Sequence, residues 1–217
     1  MAIEVTTKDC TALTDAELGD MADLVAGRTG WEAGLLSKEA EKWVLVSQAF
    51  VEGQLRGFVF TTLERIGGTP AVVIGLGTTG GGDDATSVLN GLMSDQFHKA
   101  LMAFPDEDVV VAARMQSVAA FEAFTGLDRH RPWPGERVNG EDRAWGRRLA
   151  KRYGSVSLDE RALVAAFDGP ALVLDHESAT APEHEELTAL LDTDDRHLLA
   201  FGWAMAEFLE PFTQPVG

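Results

Sequence analysis

Cysteine, lysine and long apolar runs are all scarce in this chain. The single cysteine, Cys10, leaves no internal disulfide framework and points to a reducing compartment. A lone thiol in such a position is expected to be inert. No apolar run approaches the ~20 residues that span a bilayer, and the opening "MAIEVTTKDC" lacks the basic-then-apolar order of a signal peptide. The expectation is a cytoplasmic protein. Only five of the eighteen basic residues are lysine, against thirty-five acids, and the net charge is −17. Phosphate backbones need clustered cations, so nucleic acid is excluded as the main partner, and an anionic membrane surface with it. An acidic, lysine-poor surface suits solubility in a high-salt cytoplasm.

What is present is enough for one sizeable core with an appended subdomain: 217 residues, 45% apolar and 24% charged. Thr14 and Glu17 make a T-x-x-E capping box, and Leu18, Met21, Ala22 and Val25 follow at helical spacing. A short second helix is predicted over Ser37–Lys42. "WVLVSQAFV" (43–51) and "QLRGFVFTTLERI" (54–66) are β-rich runs joined by Glu52 and Gly53, a hairpin signal. Gly67 and Gly68 turn the chain into a third strand, Ala71–Leu76. A long helix comes next, with Asp83 or Asp84 as its cap and a stripe of Val88, Leu89, Leu92, Met93, Phe97, Ala100 and Leu101.

"DVVVAAR" (108–114) reads as a strand buried on both faces. Ser117 is the expected cap of a helix over "VAAFEAFTG", which Gly126 ends. Beyond Leu127 the spacing predicts a loop, a helix over "RAWGRRLAKRY" (143–153), a strand in "RALVAAF" (161–167) and a short acidic helix from Pro182 to Leu191. "RHLLAFGWAMAEF" (196–208) reads as a closing strand, with a helix as the alternative.

The stretch from Ala71 to Leu101 holds a literal G-x-G-x-x-G at Gly75, Gly77 and Gly80, the pattern of a dinucleotide loop. Against that reading, Gly81, Gly82 and the Asp pair delay the helix, and "VVVAAR" ends in Arg114 rather than in an acidic ribose ligand. A hairpin also precedes the motif. The whole order is helix, helix, meander, glycine loop, helix, buried strand, helix, then C-terminal strands. It resembles the GNAT superfamily of N-acetyltransferases over about Thr14 to Leu127, with "VVVAARMQSVAAFEAFTGL" the closest local match.

That resemblance implies an α/β fold: a GNAT-like mixed sheet, an antiparallel meander plus a parallel strand pair, flanked by helices and followed by an elaborated C-terminal region. Residues 1–127 would be the acyl-CoA-binding core, and 128–217 would complete the sheet in the same domain or a small subdomain. Strands Ala71–Leu76 and Val109–Ala113 should run parallel and separate at their C-terminal ends. The implied co-substrate is acetyl-CoA, and the acceptor an amine of a small molecule or peptide. Pyrophosphate would lie on backbone N–H groups of the glycine loop and the pantetheine arm at the splayed strand end. Carried onto this chain, those positions are Leu76, Thr78, Thr79, Gly80, Gly81, Gly82 and Ser117.

The chain departs from the family in its charged groups. "TTGGGDDAT" has neither the Gln nor the Arg of the family's loop, and it adds Asp83 and Asp84. At about 5 Å and an effective dielectric near 20, each would repel a phosphate charge by roughly 3 kcal/mol. Where the family often has a catalytic Tyr, four residues before the helix-ending Gly, this chain has Glu122. Its only tyrosine, Tyr153, lies outside the matched stretch, and Glu64 is the remaining candidate base. Two functions stay open: an acyl-CoA-dependent N-acyltransferase, or a non-catalytic member that uses the cleft for another ligand or for association.

No metal site is predicted. His176 and His184 with Glu177, Glu183 and Glu185 lack ligand spacing, and Asp192, Asp194 and Asp195 lack the Gly and terminal Glu of a calcium loop. Trp31, Trp43, Trp133, Trp145 and Trp203 read as core or loop anchors.

Overall fold

In a computed structural model, residues 2–27, 31–167, 174–176, 179–191 and 193–214 are described. The chain opens with β1 (Ile3–Asp9), an edge strand absent from the sequence reading, with Ile3 and Val5 half-buried between exposed Glu4 and Thr6. A 3-10 turn, Cys10–Ala12, leads to α1 (Asp15–Leu24). The expected capping box is there: the Glu17 N–H donates to the Thr14 hydroxyl, and the Glu17 carboxylate accepts from the Thr14 N–H. α2 (Ala33–Ala40) starts four residues before the predicted position.

The meander is β2 (Leu45–Val51), β3 (Gln54–Ile66) and β4 (Thr69–Thr79). α3 (Ala85–Ala103) returns the chain to β5 (Val109–Met115). Beyond it come 3-10 turns over Val118–Phe124, then β6 (Asp128–Arg131), α4 (Gly140–Tyr153), β7 (Ser157–Asp159), β8 (Val164–Ala166) and β9 (Leu174–Asp175). A 3-10 turn, Pro182–His184, and α5 (Glu185–Thr188) stand where a single acidic helix was predicted. β10 (Arg196–Ala204) and α6 (Ala206–Leu209) share the closing apolar stretch.

One mixed sheet holds the described strands in the order β1-β2-β3-β4-β9-β5-β10-β8-β7, with β6 on β10. β1 to β4 are antiparallel neighbours. β4 and β5 are parallel, pairing Ala71 with Val110 through Ile74 with Ala113. This mixed sheet is not the doubly wound parallel sheet that a dinucleotide reading requires.

The β4–β5 pairing stops at a β-bulge. Phe60 faces Leu76 while Thr61 faces Ile74, which leaves Gly75 as the extra residue. A Cβ on Gly75 would lie 1.9 Å from the Trp43 ring, so this glycine lets an indole lie on the strand. Gly77 is also inside β4, where a Cβ would meet the Phe58 carbonyl at 2.9 Å. Two glycines of the literal G-x-G-x-x-G therefore serve sheet packing.

The two faces of the sheet are filled differently. α3, the Val118–Phe124 turns and the short C-terminal helices cover one face, with Val88, Leu89, Leu92, Met93, Phe97 and Ala100 of α3 buried as the stripe predicted. Asp95 and Gln96 also point inward from α3. The Asp95 carboxylate accepts from the hydroxyls of Thr7 (2.8 Å) and Ser47 (2.7 Å), and Gln96 accepts from Thr61 (2.9 Å). These bonds fix the helix on the meander. α1, α2 and α4 cover the other face around Trp31, Trp43 and Trp145, with Trp203 packed against them.

Candidate functional site: the gap between β4 and β5

Past the Gly75 bulge the parallel strands part, as the sequence reading expected, and the gap between them is filled from within. β9 lies parallel to both: Leu174 pairs with Gly77 of β4 and with Met115 of β5, and Asp175 pairs with Thr78. The Leu174 side chain enters the α3-side core, 2% exposed. His176 follows, its side chain wholly buried. Its Nδ1 is 2.8 Å from the Thr79 hydroxyl and its Nε2 is 2.7 Å from the Glu122 carboxylate. With Nε2 protonated and donating to Glu122, Nδ1 accepts from Thr79. Glu122 also accepts from the Thr86 hydroxyl on α3 at 2.9 Å, and Ser117 donates to the His176 carbonyl at 3.3 Å. The residue standing in for the family's tyrosine thus holds a histidine in the gap.

The glycine loop is likewise taken up by the chain itself. The Gly80 N–H donates to the Arg56 carbonyl at 2.6 Å, and a Cβ on Gly80 would meet Leu24 of α1 at 2.9 Å. The Arg56 guanidinium reaches across to the Gly81 carbonyl (3.0 Å) and the Asp84 carboxylate (2.8 Å). Gly82 has φ +130°, and its carbonyl accepts from Ala85 as α3 begins. Asp84 occupies the N-cap position, but its side chain makes no capping bond and is the counterion of Arg56 instead. Ser117 similarly makes no capping bond to the turns it precedes. The surface hollow beside this loop, about 400 Å³, is lined by Glu52, Asp83, Asp84 and Arg56 among others. Three carboxylates against one cation make it a poor seat for pyrophosphate.

The remaining candidates fall elsewhere. Leu76 is buried on the α1/α2 face, and the Thr78 hydroxyl donates to the Thr79 carbonyl at 3.2 Å. Glu64 pairs along β4 with Ala71, seven residues before Thr78. At ~3.3 Å per residue that is roughly 23 Å of strand. Its carboxylate is committed to Arg152. Glu64 is not brought to the gap.

A group that sequence reasoning set aside does arrive at the bulge. α4 delivers the Tyr153 hydroxyl to the Ile74 carbonyl at 2.8 Å. Burial pushes this phenol well above its ordinary range, while Arg114 and Arg152 pull it back in part. Arg114 is buried against the Tyr153 and Phe167 rings, and burial depresses its pKa. Its nearest polar contacts are long, 3.5 Å to the Gly75 carbonyl and 3.7 Å to Glu39. His197 is 1% exposed, and among the described residues only the Asp194 backbone approaches its ring nitrogens, short of a well-formed hydrogen bond. Burial and the nearby Arg114 charge lower its pKa to about 4.

Cys10 is buried, and burial next to Asp9 raises its thiol to about 12, so it stays protonated. No group of three or more potential metal ligands occurs among the described residues, and Glu177 and Asp192 lie outside them. His184 instead packs against the Phe121 and Trp133 rings. No helix among the described residues is long and apolar enough to cross a membrane.

Among solved structures, an acyl-CoA N-acyltransferase from Pseudomonas aeruginosa is similar at 20% identity and a TM-score of 0.41, with 65% of this chain and 94% of that chain covered. A GNAT-family acetyltransferase from Streptococcus pneumoniae is similar at 12% identity and 0.36, covering 61% and 90%. Eis1 from Mycobacterium abscessus is similar at 15% and 0.34, covering 90% of this chain and 65% of that one. No family model matches the chain, and no curated protein does. Likeness at this level carries nothing about ligand or activity. The chain's own strands settle the class: a meander, then a parallel pair that parts at a bulge beside a glycine loop. The fold is GNAT-like.

Proposed function

We propose that this chain is a GNAT-fold binding or association protein whose cleft is closed in the resting form, rather than a standing acyltransferase. One observation carries the reading: Leu174 pairs with both β4 and β5 in the gap where an acyl-CoA arm would have to lie. A thioester arm and β9 cannot share that space. The loop chemistry supports the same reading, since the Gly80 N–H already has a partner and Asp84 neutralises Arg56. The test is calorimetry of the unmodified chain with acetyl-CoA. No heat of binding is expected with ligand in the high micromolar range, and a Kd below about 10 µM, or ~7 kcal/mol of affinity, would overturn the closed-cleft reading.

A second reading is favoured by Tyr153. Its hydroxyl stands at the bulge, on the face covered by α1 and α2, and it is the one phenol that could protonate a leaving thiolate. N-acyl transfer from acetyl-CoA to an amine of a small molecule or peptide would then need β9 withdrawn and Tyr153 freed from the Ile74 carbonyl.

A further inference from the structure

We propose that β1 is a self-complementary edge, and that a second copy of this chain pairs with it antiparallel to make a two-fold dimer with one continuous sheet. The proposal is independent of the closed-cleft reading, because β2, β3 and β4 stand between β1 and β9 in the sheet. Three observations support it.

First, the edge is long and open. An edge strand offers a row of unpaired backbone N–H and C=O groups, which proteins blunt by shortening the strand, bulging it, placing proline in it or covering it. The far edge, β7, has only three residues. β1 has seven, with no proline, and pairs with β2 from Ile3–Val51 to Asp9–Leu45 without a shift of register. Hollows flank it on both faces of the sheet. One, about 490 Å³, is lined by Glu4, Thr6, Lys8 and Glu17 among others. The other, about 700 Å³, is lined by Val5, Leu45, Leu63 and Met102 among others.

Second, the strand matches itself. Antiparallel pairing about a two-fold axis at Thr6 sets Glu4 of each copy opposite Lys8 of the other and the two Thr6 side chains opposite one another. Opposite charges and Thr–Thr pairs are favourable cross-strand neighbours. Val5 faces Thr7 on the α3 side, and both are β-branched. Moving the axis one residue, to Val5 or Thr7, leaves Lys8 facing Ala2 or Thr6 and removes both ion pairs. The charges therefore fix one register.

Third, this border is where two acidic bodies can meet. The chain carries −17, yet the larger hollow is lined by two lysines and two aspartates, Lys8, Lys99, Asp9 and Asp95, which balance. Met102 on its rim is 69% exposed. A locally neutral, partly apolar border lowers the repulsion on approach and gains from burial.

Two experiments on the full chain test the proposal. Thr6→Cys places a thiol on the two-fold axis, where paired Cα atoms lie about 4.5–5.5 Å apart, inside the span of a disulfide. Cys10 does not compete, because it is buried with its thiol raised to about 12. Under mild oxidation Thr6→Cys should cross-link at least about tenfold faster than Val156→Cys, an exposed position just before β7. Equal rates would overturn the proposal.

The charges give the second test. Glu4→Lys sets lysine against Lys8 twice, and Lys8→Glu sets glutamate against Glu4 twice. Each variant alone should associate at least about tenfold more weakly than the native chain in sedimentation velocity, even though Glu4→Lys lowers the overall repulsion. Mixed in equal amounts, the two should restore the dimer, since each lysine then faces a glutamate. A mixture no more dimeric than its parts would overturn the proposal. So would a native chain that stays monomeric to about millimolar concentration, which would leave the edge to a different partner. Assemblies larger than a dimer would overturn it too, because an isologous pairing closes on itself. Should Lys8→Glu, which also loses its pair with Glu17, fail to fold, the cross-linking comparison decides by itself.

Discussion

The two ends of the β4–β5 pair bury different chemistry. At the closed end Ala71–Ile74 faces Val110–Ala113, and every one of these residues is apolar and fully buried. At the open end the buried set includes Thr78, Thr79, Arg114, His176 and His197. Apolar burial asks only for shape, but polar burial asks for a partner for each group. The open end meets that demand unevenly. Among the described residues Thr79 and His176 satisfy one another, while the polar contacts of Arg114 are long and His197 has only the Asp194 backbone near its ring nitrogens. The same pair of strands is thus apolar core at one end and a buried polar assembly at the other.

Core deletions test the comparison most severely. Ile74→Ala at the closed end should lose about 3–4 kcal/mol in urea denaturation, the usual range for a buried aliphatic cut to alanine. Leu174→Ala is an equally buried aliphatic truncation at the open end. If β9 opens locally, the loss is limited to its own opening free energy, about 1–2 kcal/mol. Equal losses would erase the distinction between the ends.

Acid should weaken the open end before the closed one. His197 titrates at about 4 in the folded chain because burial and Arg114 disfavour its charge, against about 6.5 when unfolded. The unfolded state therefore binds the proton more tightly. The stabilisation is fully present above about pH 6.5, falls with pH through 4, and amounts to roughly 3 kcal/mol at most. His197→Leu should flatten the stability profile between pH 6.5 and 4, and a slope that persists would acquit this residue. Glu17, held down to about 2 by Lys8 and by Thr14, acts in a separate window below about pH 4.5.

Single charges at the loop should separate by a smaller margin. Asp84→Asn removes the partly buried partner of Arg56 and should cost about 1 kcal/mol, whereas Asp83→Asn, at an exposed position, should stay within roughly 0.5 kcal/mol. Neither change should create acetyl-CoA binding while β9 fills the gap. Paired thermal melts and calorimetry read both outcomes. Smallest and least local is the effect of salt. The net charge of −17 predicts a melting temperature that rises by a few degrees from dilute buffer to molar KCl as repulsion is screened. The rise should be the same in the Asp83→Asn variant, and a rise confined to the native chain would place the repulsion at the loop.

The sequence by itself determined what neighbouring residues decide. Thr14 and Glu17 close their capping box within one turn of helix, the β-rich run Gln54–Ile66 gives β3 its observed limits, and the predicted stripe is the buried face of α3 from Val88 to Ala100, with Leu101 half-buried. The parting of β4 from β5 was legible because an apolar strand, a glycine loop and a long helix occur in order. The loop's chemistry was not. Asp84 read as a cap, and only the fold shows Arg56, 28 residues away, as its partner.

The contents of the gap were beyond reach of any local pattern. A two-residue strand has no periodicity to detect, and His176 meets Thr79 across 97 residues and Glu122 across 54. Tyr153 reaches the Ile74 carbonyl across 79, from a helix whose sequence says nothing of the bulge. Local propensity and hydrophobic spacing act over a turn or a pleat, and so they place elements. Which polar groups meet inside depends on how those elements close on one another, and only the tertiary structure decided that.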